Sequence, residues 1–234
     1  MALNDIAYQG IKQMIIEGTI PMGARVLETK LVPLLEMSRT PIREAMQQLH
    51  IEGLLEREGN EYRAKRYTAQ QVLEIYDCRA ILESEAVKLI AEQGMPDHIL
   101  ERITETLDRC ERIVMDLKEL EGGLEKQHRR AFLDQNNIFH GALYSACPNR
   151  MLLDLLKRTE TLPNEIRNYN RFTWAQIYAS HISHKQMIKA IVSRDKERAA
   201  ALMKEHIWEA RDRMIPELRG SAQHADEVCL AGET

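Results

Sequence analysis

The chain has 234 residues and a formal net charge of −4, and 44% of its residues are hydrophobic. This length is enough for one large domain or two modest ones. With 11 glycines, 7 prolines and 5% aromatic residues, the composition favours helix over sheet. A slightly acidic chain does not attract nucleic acid through its net charge, so a DNA contact must depend on locally placed arginines.

The cysteine spacing and the N-terminal residues bear on the compartment of the protein. The four cysteines show no Cys-x-x-Cys spacing and are expected to be ordinary thiols in a reducing compartment. Asp5 lies where a signal peptide needs an apolar run, and no apolar stretch is long enough to span a bilayer. The sequence therefore predicts a cytoplasmic protein without a membrane partner.

The first zone, residues 1–67, begins with two short predicted helices. An apolar stripe at helical spacing predicts the first helix, which ends at Gly18. The stripe consists of Ala7, Ile11, Met14 and Ile15. The stretch LETKLVPLLEM predicts the second helix, where Pro33 is expected in the first turn because proline removes a hydrogen bond further on.

A third helix is predicted over SRTPIREAMQQLH, and its side chains separate into two faces. The apolar face has the i, i+3, i+4, i+7 spacing of a buried stripe and comprises Ile42, Ala45, Met46 and Leu49. A donor-rich flank lies beside it and comprises Arg39, Arg43, Gln47 and His50. Arginine and glutamine read guanine and adenine edges in the major groove, and exposed amides near Ser38 and Thr40 suit a phosphate.

A hairpin is predicted after this helix, with Gly59-Asn60 as its tight turn. Arg63 and Lys65 alternate onto one face of its second strand, where cations are able to follow a DNA backbone. The residues alone leave open whether the third helix is a solvated surface helix or a DNA-reading helix.

The stretch MSRTPIREAMQQLHIEGLLE closely resembles the recognition helix and wing entry of the GntR family of bacterial transcription regulators. The resemblance implies a winged helix-turn-helix in which Arg39 and Arg43 contact bases while Ser38 and Thr40 hold phosphates. Glu36 stands where the family has a turn glycine.

The second zone, residues 68–219, has apolar stripes and charged faces throughout and predicts an antiparallel bundle of six or seven helices. Residues 220–234 show no periodicity and are expected to form a disordered tail. The predicted fold class is therefore mainly α, with an N-terminal winged helix-turn-helix followed by an all-α bundle.

Three histidines of the second zone, His140, His184 and His206, lie on three different predicted helices. Asn136 lies one turn before His140, so both side chains point the same way. Histidines on amphipathic helices are commonly core or surface residues, and their convergence on a metal cannot be read from spacing between helices.

This zone resembles the FCD ligand-binding domain of FadR-type GntR regulators, through Arg-x-x-Leu-Glu at Arg79, Phe-His followed by ACPN, HKQMIKAI and MKEHI. The resemblance implies a divalent metal, zinc or nickel, bound by Asn136, His140, His184 and His206. Asn136 stands where many members have aspartate, and a neutral amide binds a hard cation more weakly.

Arg79 lies on an apolar helical stripe, and a buried guanidinium requires a partner. Glu83, one turn later, is one candidate, and the carboxylate of a small organic acid beside the metal is the other. Both alternatives stay open at this point.

The sequence as a whole predicts a ligand-responsive repressor, not an enzyme, that binds double-stranded operator DNA as a homodimer. A small organic acid effector is expected to control it. Two alternatives remain: a metal-dependent enzyme that uses the helical-domain histidines, and an interaction module in which they are structural.

Overall fold

A computed structural model describes residues 3–119, 125–159 and 172–214. The chain forms two compact units, and the first passes into the second between Val72 and Leu73. The predicted domain limits at residues 67 and 219 stay a prediction, and the expected tail at residues 220–234 lies outside the described residues.

The described residues of the first unit form three helices and three strands before the helix that continues into the second unit. They are α1 (Leu3–Ile16), β1 (Arg25–Val26), α2 (Glu28–Leu35), α3 (Arg39–Ile51), β2 (Leu55–Glu58) and β3 (Glu61–Ala64). The apolar stripe of α1 is buried at Ala7, Ile11 and Ile15, as its spacing predicts. These residues share one core with the apolar face of α3.

The three strands form one antiparallel sheet in the order β1-β3-β2. Gly59 and Asn60 connect β2 to β3, and Glu58 pairs with Glu61 on either side of them, so the predicted hairpin is confirmed. The sequence interpretation missed β1, because two residues are too few to show the alternation that identifies a strand.

Pro33 lies in the last turn of α2, so the expectation that it occupies the first turn is wrong. The helix ends two residues later, and proline therefore removes a hydrogen bond only next to the helix end. Glu36 caps α2 with left-handed backbone angles, φ 52° and ψ 39°, and its N–H donates to the Val32 carbonyl. This conformation explains why glycine is common at such a turn.

Six helices account for the described part of the second unit. They are α4 (Ala69–Gln93), α5 (Asp97–Glu119), α6 (Glu125–Ser145), α7 (Arg150–Thr159), α8 (Trp174–Val192) and α9 (Lys196–Asp212). Thr173 caps α8 by accepting from the Gln176 N–H while the Gln176 side chain accepts from the Thr173 N–H. No helix in the described ranges has the length and apolar character needed to cross a membrane.

Cys78, Cys110 and Cys147 are free thiols, as the absence of paired spacing predicts. Burial raises the pKa of Cys110 to about 12, so this side chain behaves as a small apolar core residue.

Substituting Glu36→Gly is expected to raise the free energy of unfolding by about 0.5–1 kcal/mol, because glycine has no Cβ to oppose the left-handed conformation. Urea unfolding of the wild type and the variant measures this difference. Glu44→Gly, at an exposed position inside α3, is the matched control and is expected to lower stability by about 0.5–1 kcal/mol. A Glu36→Gly protein destabilised as much as the control would contradict the strained cap.

Candidate DNA-contact helix and candidate metal centre

The two predicted faces of α3 are both present in the structure. Ile42, Ala45, Met46 and Leu49 are buried, each exposed by 2% or less. The edge beside this face is exposed, and it carries the side chains of Arg39, Arg43 and Gln47. His50 lies on the same flank, and its Nδ1 lies 3.0 Å from the Leu55 carbonyl oxygen. The helix is therefore held by its apolar face and presents hydrogen-bond donors along a neighbouring edge.

Glu28 holds the Arg43 guanidinium through two parallel hydrogen bonds. Arg43 Nε donates to Glu28 Oε1 over 2.9 Å, and a terminal nitrogen donates to Oε2 over 3.0 Å. The Arg43 side chain is nonetheless 66% exposed. The sequence interpretation missed Glu28, because the contact joins two helices and no spacing within one helix indicates it.

The start of α3 leaves two hydroxyl-bearing side chains exposed. Ser38 is the N-cap residue, with φ −69° and ψ 167°, but its side chain makes no capping hydrogen bond. Ser38 and Thr40 are both exposed, at the end of a helix where amide groups are oriented towards an anion. Their predicted role as phosphate contacts stays a prediction.

The two wing cations have neighbours within the chain. Arg63 Nε lies 2.7 Å from Glu58 Oε2, and a terminal nitrogen of Arg63 donates to the Gly23 carbonyl over 3.1 Å. Lys65 Nζ lies 5.0 Å from the centre of the Tyr67 ring. Their predicted DNA contacts also stay a prediction.

In the second unit, the three predicted histidines converge. One candidate ligand atom from each of His140, His184 and His206 lies within 4.8 Å of the others, although the three residues come from α6, α8 and α9. His184 Nε2 lies 3.2 Å from His206 Nε2. Two nitrogens bound to one zinc ion lie at most about 4.2 Å apart, since each bond is about 2.0–2.1 Å, so small side-chain rotations suffice to bind a metal.

Burial favours the neutral form of His184 and His206, which is the form that binds a metal. Burial, Arg213 and Arg79 lower the pKa of His206 to about 3. The pKa of His184 is also well below its ordinary value, chiefly because the side chain is fully buried. Phe139 stacks on the His184 ring with centroids 4.2 Å apart and restricts its orientation.

Asn136, the fourth predicted ligand, is 5% exposed on α6 one turn before His140. Asp134, two residues earlier, is exposed and pairs with Arg130 at 3.4 Å. The nearby carboxylate therefore faces away, as the helical spacing predicts. The donor set of three imidazoles and one carboxamide suits a divalent transition metal, although which residues ligate stays a prediction.

Arg79 belongs to a buried chain of hydrogen bonds that ends at the histidines. Its Nε donates to Glu83 Oε1 over 2.7 Å, and Glu83 Oε2 accepts from the Tyr144 hydroxyl. The same hydroxyl lies 2.9 Å from His140 Nδ1. Of the two alternatives for Arg79, pairing with Glu83 is thus seen directly. Only Nε is used in this bond, and a guanidinium has five donors.

Tyr144 was not singled out from the sequence. It lies four residues after His140 on α6, so the two side chains share a helix face, and this spacing was the available signal. Tyrosine is common in cores, and the spacing alone did not indicate a polar contact.

Family models match most of the chain in two segments. The model described as "Bacterial regulatory proteins, gntR family" matches residues 3–61, and the one described as "FCD domain" matches residues 74–208. The two matched segments contain the predicted reading helix and the histidine cluster, respectively.

Relatives extend over nearly the full length. The Bacillus subtilis (strain 168) "Uncharacterized HTH-type transcriptional regulator YdhC" is 31% identical, covering 86% of this chain and 84% of the relative. The "HTH-type transcriptional repressor GlaR" of Escherichia coli (strain K12) is 25% identical, with coverages of 86% and 90%. The solved structure described as "E. coli McbR/YncC" has a TM-score of 0.73 at 21% identity, covers 95% of this chain and 99% of that one, and shows likeness of fold.

Substituting Arg79→Met is expected to lower the free energy of unfolding by about 3–5 kcal/mol, because it leaves the Glu83 carboxylate, 2% exposed, without its cation. Urea unfolding measures the change. The matched control is Arg109→Met, since Arg109 pairs with Glu105 four residues away on an exposed surface. Its loss is expected to stay below about 1 kcal/mol. Equal losses in the two variants would contradict a buried pair at Arg79.

Proposed function

Since the chain belongs to the GntR family of bacterial transcription regulators and carries an FCD domain, we propose that it is an operator-binding repressor controlled by a small carboxylate and a divalent metal. In this proposal the first unit reads DNA as part of a homodimer, and the second unit binds the effector. The protein then works in the bacterial cytoplasm, where its operator lies.

The observation that supports a DNA-reading role is the exposed edge of α3, which lies beside a fully packed face. Arg39, Arg43 and Gln47 lie on this edge, and arginine and glutamine make bidentate contacts with guanine and adenine in the major groove. Ser38 and Thr40 at the start of the helix suit a phosphate that fixes its register. Arg63 and Lys65 then contact the backbone from the wing.

A homodimer follows from the way in which such helices read DNA. One short helix covers only a few base pairs, and two helices placed in successive major grooves read a near-palindromic operator. The net charge of the first 68 residues is zero, with nine basic and nine acidic side chains. Affinity therefore depends on two correctly spaced sets of contacts more than on overall attraction.

The histidine cluster supports the sensor role. Three imidazoles, of which those of His184 and His206 are buried, and the Asn136 carboxamide are suited to a zinc or nickel ion, which supplies a positive charge that attracts a carboxylate. Arg79, at the far end of the hydrogen-bond chain, has donors besides Nε for a second contact with the acid. The effector is then a small organic acid held between cation and metal.

Repression relieved by the effector is the direction that we propose. Among the relatives, GlaR is described as a transcriptional repressor, and a Paenarthrobacter nicotinovorans relative as a probable repressor of a D-xylose utilization operon. The acid can release the operator only to the extent that it binds the DNA-free arrangement more tightly than the DNA-bound one. The metal-dependent enzyme that the sequence left open gains no support from the regulator families that the chain matches.

Substituting Arg43→Ala is expected to weaken operator binding by about 1–3 kcal/mol and to relax the preference at one base pair, because a bidentate contact is lost. Fluorescence anisotropy at fixed salt measures it, with an operator selected from a random duplex pool. Arg43→Lys is expected to lose the same base preference while it keeps the charge.

The control for this experiment is Arg109→Ala, which removes an exposed arginine from the second unit and is expected to leave operator affinity unchanged. An Arg43→Ala protein that is folded and retains the operator preference of the wild type would rule out the base contact. A wild-type protein that selects no preferred sequence would rule out the repressor role itself.

Adding zinc or nickel to chelator-treated protein is expected to raise its melting temperature, because a ligand at 100 times its dissociation constant stabilises the folded state by about 2.7 kcal/mol. His184→Ala is expected to abolish this rise. His181→Ala is the matched control, since His181 is also buried on α8, is 1% exposed and lies outside the cluster. Metal stabilisation that survives in His184→Ala would contradict the site.

The same melts at saturating metal, repeated with a panel of small organic acids, test the effector. A further rise is expected for some acids, and it is expected to require both the metal and Arg79. Arg79→Lys is the variant that tests the requirement for Arg79, because it keeps a cation beside Glu83. It is expected to lose the further rise with acids. An acid response of equal size without metal would contradict a shared site.

A further inference from the structure

The Tyr144 hydroxyl occupies the central position in the buried chain that joins Arg79 to the histidine cluster. It donates to Glu83 Oε2 and lies 2.9 Å from His140 Nδ1. Tyr144 is 8% exposed and Glu83 is 2% exposed, so both groups depend on protein partners. The side chain thus connects α4 and α6 next to the proposed metal ligands.

The direction of each hydrogen bond follows from the number of protons. The Glu83 carboxylate accepts from Arg79 Nε through one oxygen, and an ionised carboxylate has no proton to donate. Tyr144 has a single hydroxyl proton, and the bond to Glu83 uses it. Its oxygen is then left as the acceptor for His140, so Nδ1 of the imidazole carries the proton of this hydrogen bond. In the neutral form that binds a metal, the lone pair of His140 is consequently on Nε2.

His140 differs in this respect from the other two histidines of the cluster. Nδ1 of His184 and Nδ1 of His206 are buried atoms without a hydrogen-bond partner among the described residues. Among the described residues, His140 is therefore the histidine of the cluster whose Nδ1 has a side-chain partner. That partner, Tyr144, is itself hydrogen-bonded to Glu83. Partners of this kind fix the tautomer and ring orientation of a histidine ligand and raise its basicity.

We propose that Tyr144 is a positioning residue that holds His140 in its Nδ1–H tautomer and connects the metal centre with the Arg79–Glu83 ion pair. The proposal rests on the proposed metal site, and it assigns Tyr144 to that site as a partner of a ligand, not as a ligand. The relay runs from a carboxylate through a phenol to an imidazole, so the negative charge of Glu83 acts on His140 through one intervening hydroxyl.

The test is a zinc titration of full-length, chelator-treated protein in competition with a chromophoric chelator of known affinity. Tyr144→Phe removes one oxygen and keeps the ring, and it is expected to weaken zinc binding about 10–100-fold. Tyr178→Phe is the matched control, because it removes the same atom from a ring that stacks on Trp174 with centroids 5.0 Å apart. The affinity of the Tyr178→Phe protein for zinc is expected to stay within about twofold of the wild type.

The outcomes separate this inference from the proposed function. Wild-type protein without zinc affinity would overturn both the metal site and the role of Tyr144. Zinc bound equally well by the wild type and Tyr144→Phe would overturn the positioning role alone and leave the metal site standing. Melts of the metal-free proteins show whether Tyr144→Phe acts through stability, in which case zinc affinity per folded molecule stays unchanged and the role is likewise overturned.

A second measurement needs no variant. Nitrogen-15 spectra of histidine-labelled, metal-free wild type distinguish protonated Nδ1 from protonated Nε2, and assignment of His140 by comparison with His140→Gln identifies its signal. Protonation at Nδ1 is expected. A His140 imidazole protonated at Nε2 would reverse the deduced order of donors and overturn the proposal, even if Tyr144→Phe were too unstable to titrate.

Discussion

One buried ion pair, Arg79 with Glu83, connects two helices of the second unit at the histidine cluster. Removing Arg79 and Glu83 from water is costly, and their attraction offsets this cost only if the remaining donors and acceptors also find partners. Glu83 meets this requirement with Tyr144 from α6, and Tyr144 then lies beside His140. The partner that the buried carboxylate requires therefore also fixes α4 against α6 at the point where the histidines meet.

The first unit satisfies a different constraint, because α3 must bury one face and still offer donors to DNA. In the DNA-free chain, Glu28 binds the Nε and terminal nitrogen of Arg43 that a guanine edge would use. A pair this exposed contributes little to stability, but it holds the planar guanidinium in one orientation. Under the proposed function, base reading exchanges these hydrogen bonds for others, and only the difference between the two sets contributes to affinity.

Sequence patterns predicted the structure correctly where it depends on residues that are close together in the chain. The two faces of α3 and the Gly59-Asn60 turn are of this kind, because helix and hairpin periodicity are local. The two-residue β1, the position of Pro33 and the bond from Arg43 to Glu28 depend on packing between elements. The three histidines were identifiable as candidates through family resemblance, but their convergence from α6, α8 and α9 required tertiary structure.

The charge of the proposed metal site couples the binding of the metal ion to the binding of the acid. A histidine binds a metal in its neutral form and the Asn136 carboxamide carries no charge, while Glu83 already balances Arg79. Under the proposed function, a bound divalent ion therefore keeps most of its positive charge uncompensated. In that proposal, a carboxylate effector supplies the missing negative charge. If both bind as proposed, each is expected to raise the affinity of the other by the same factor, as thermodynamic linkage requires. An aspartate at position 136 would neutralise part of the charge of the metal ion. The neutral Asn136 side chain therefore favours a site that responds to the metal and the acid together.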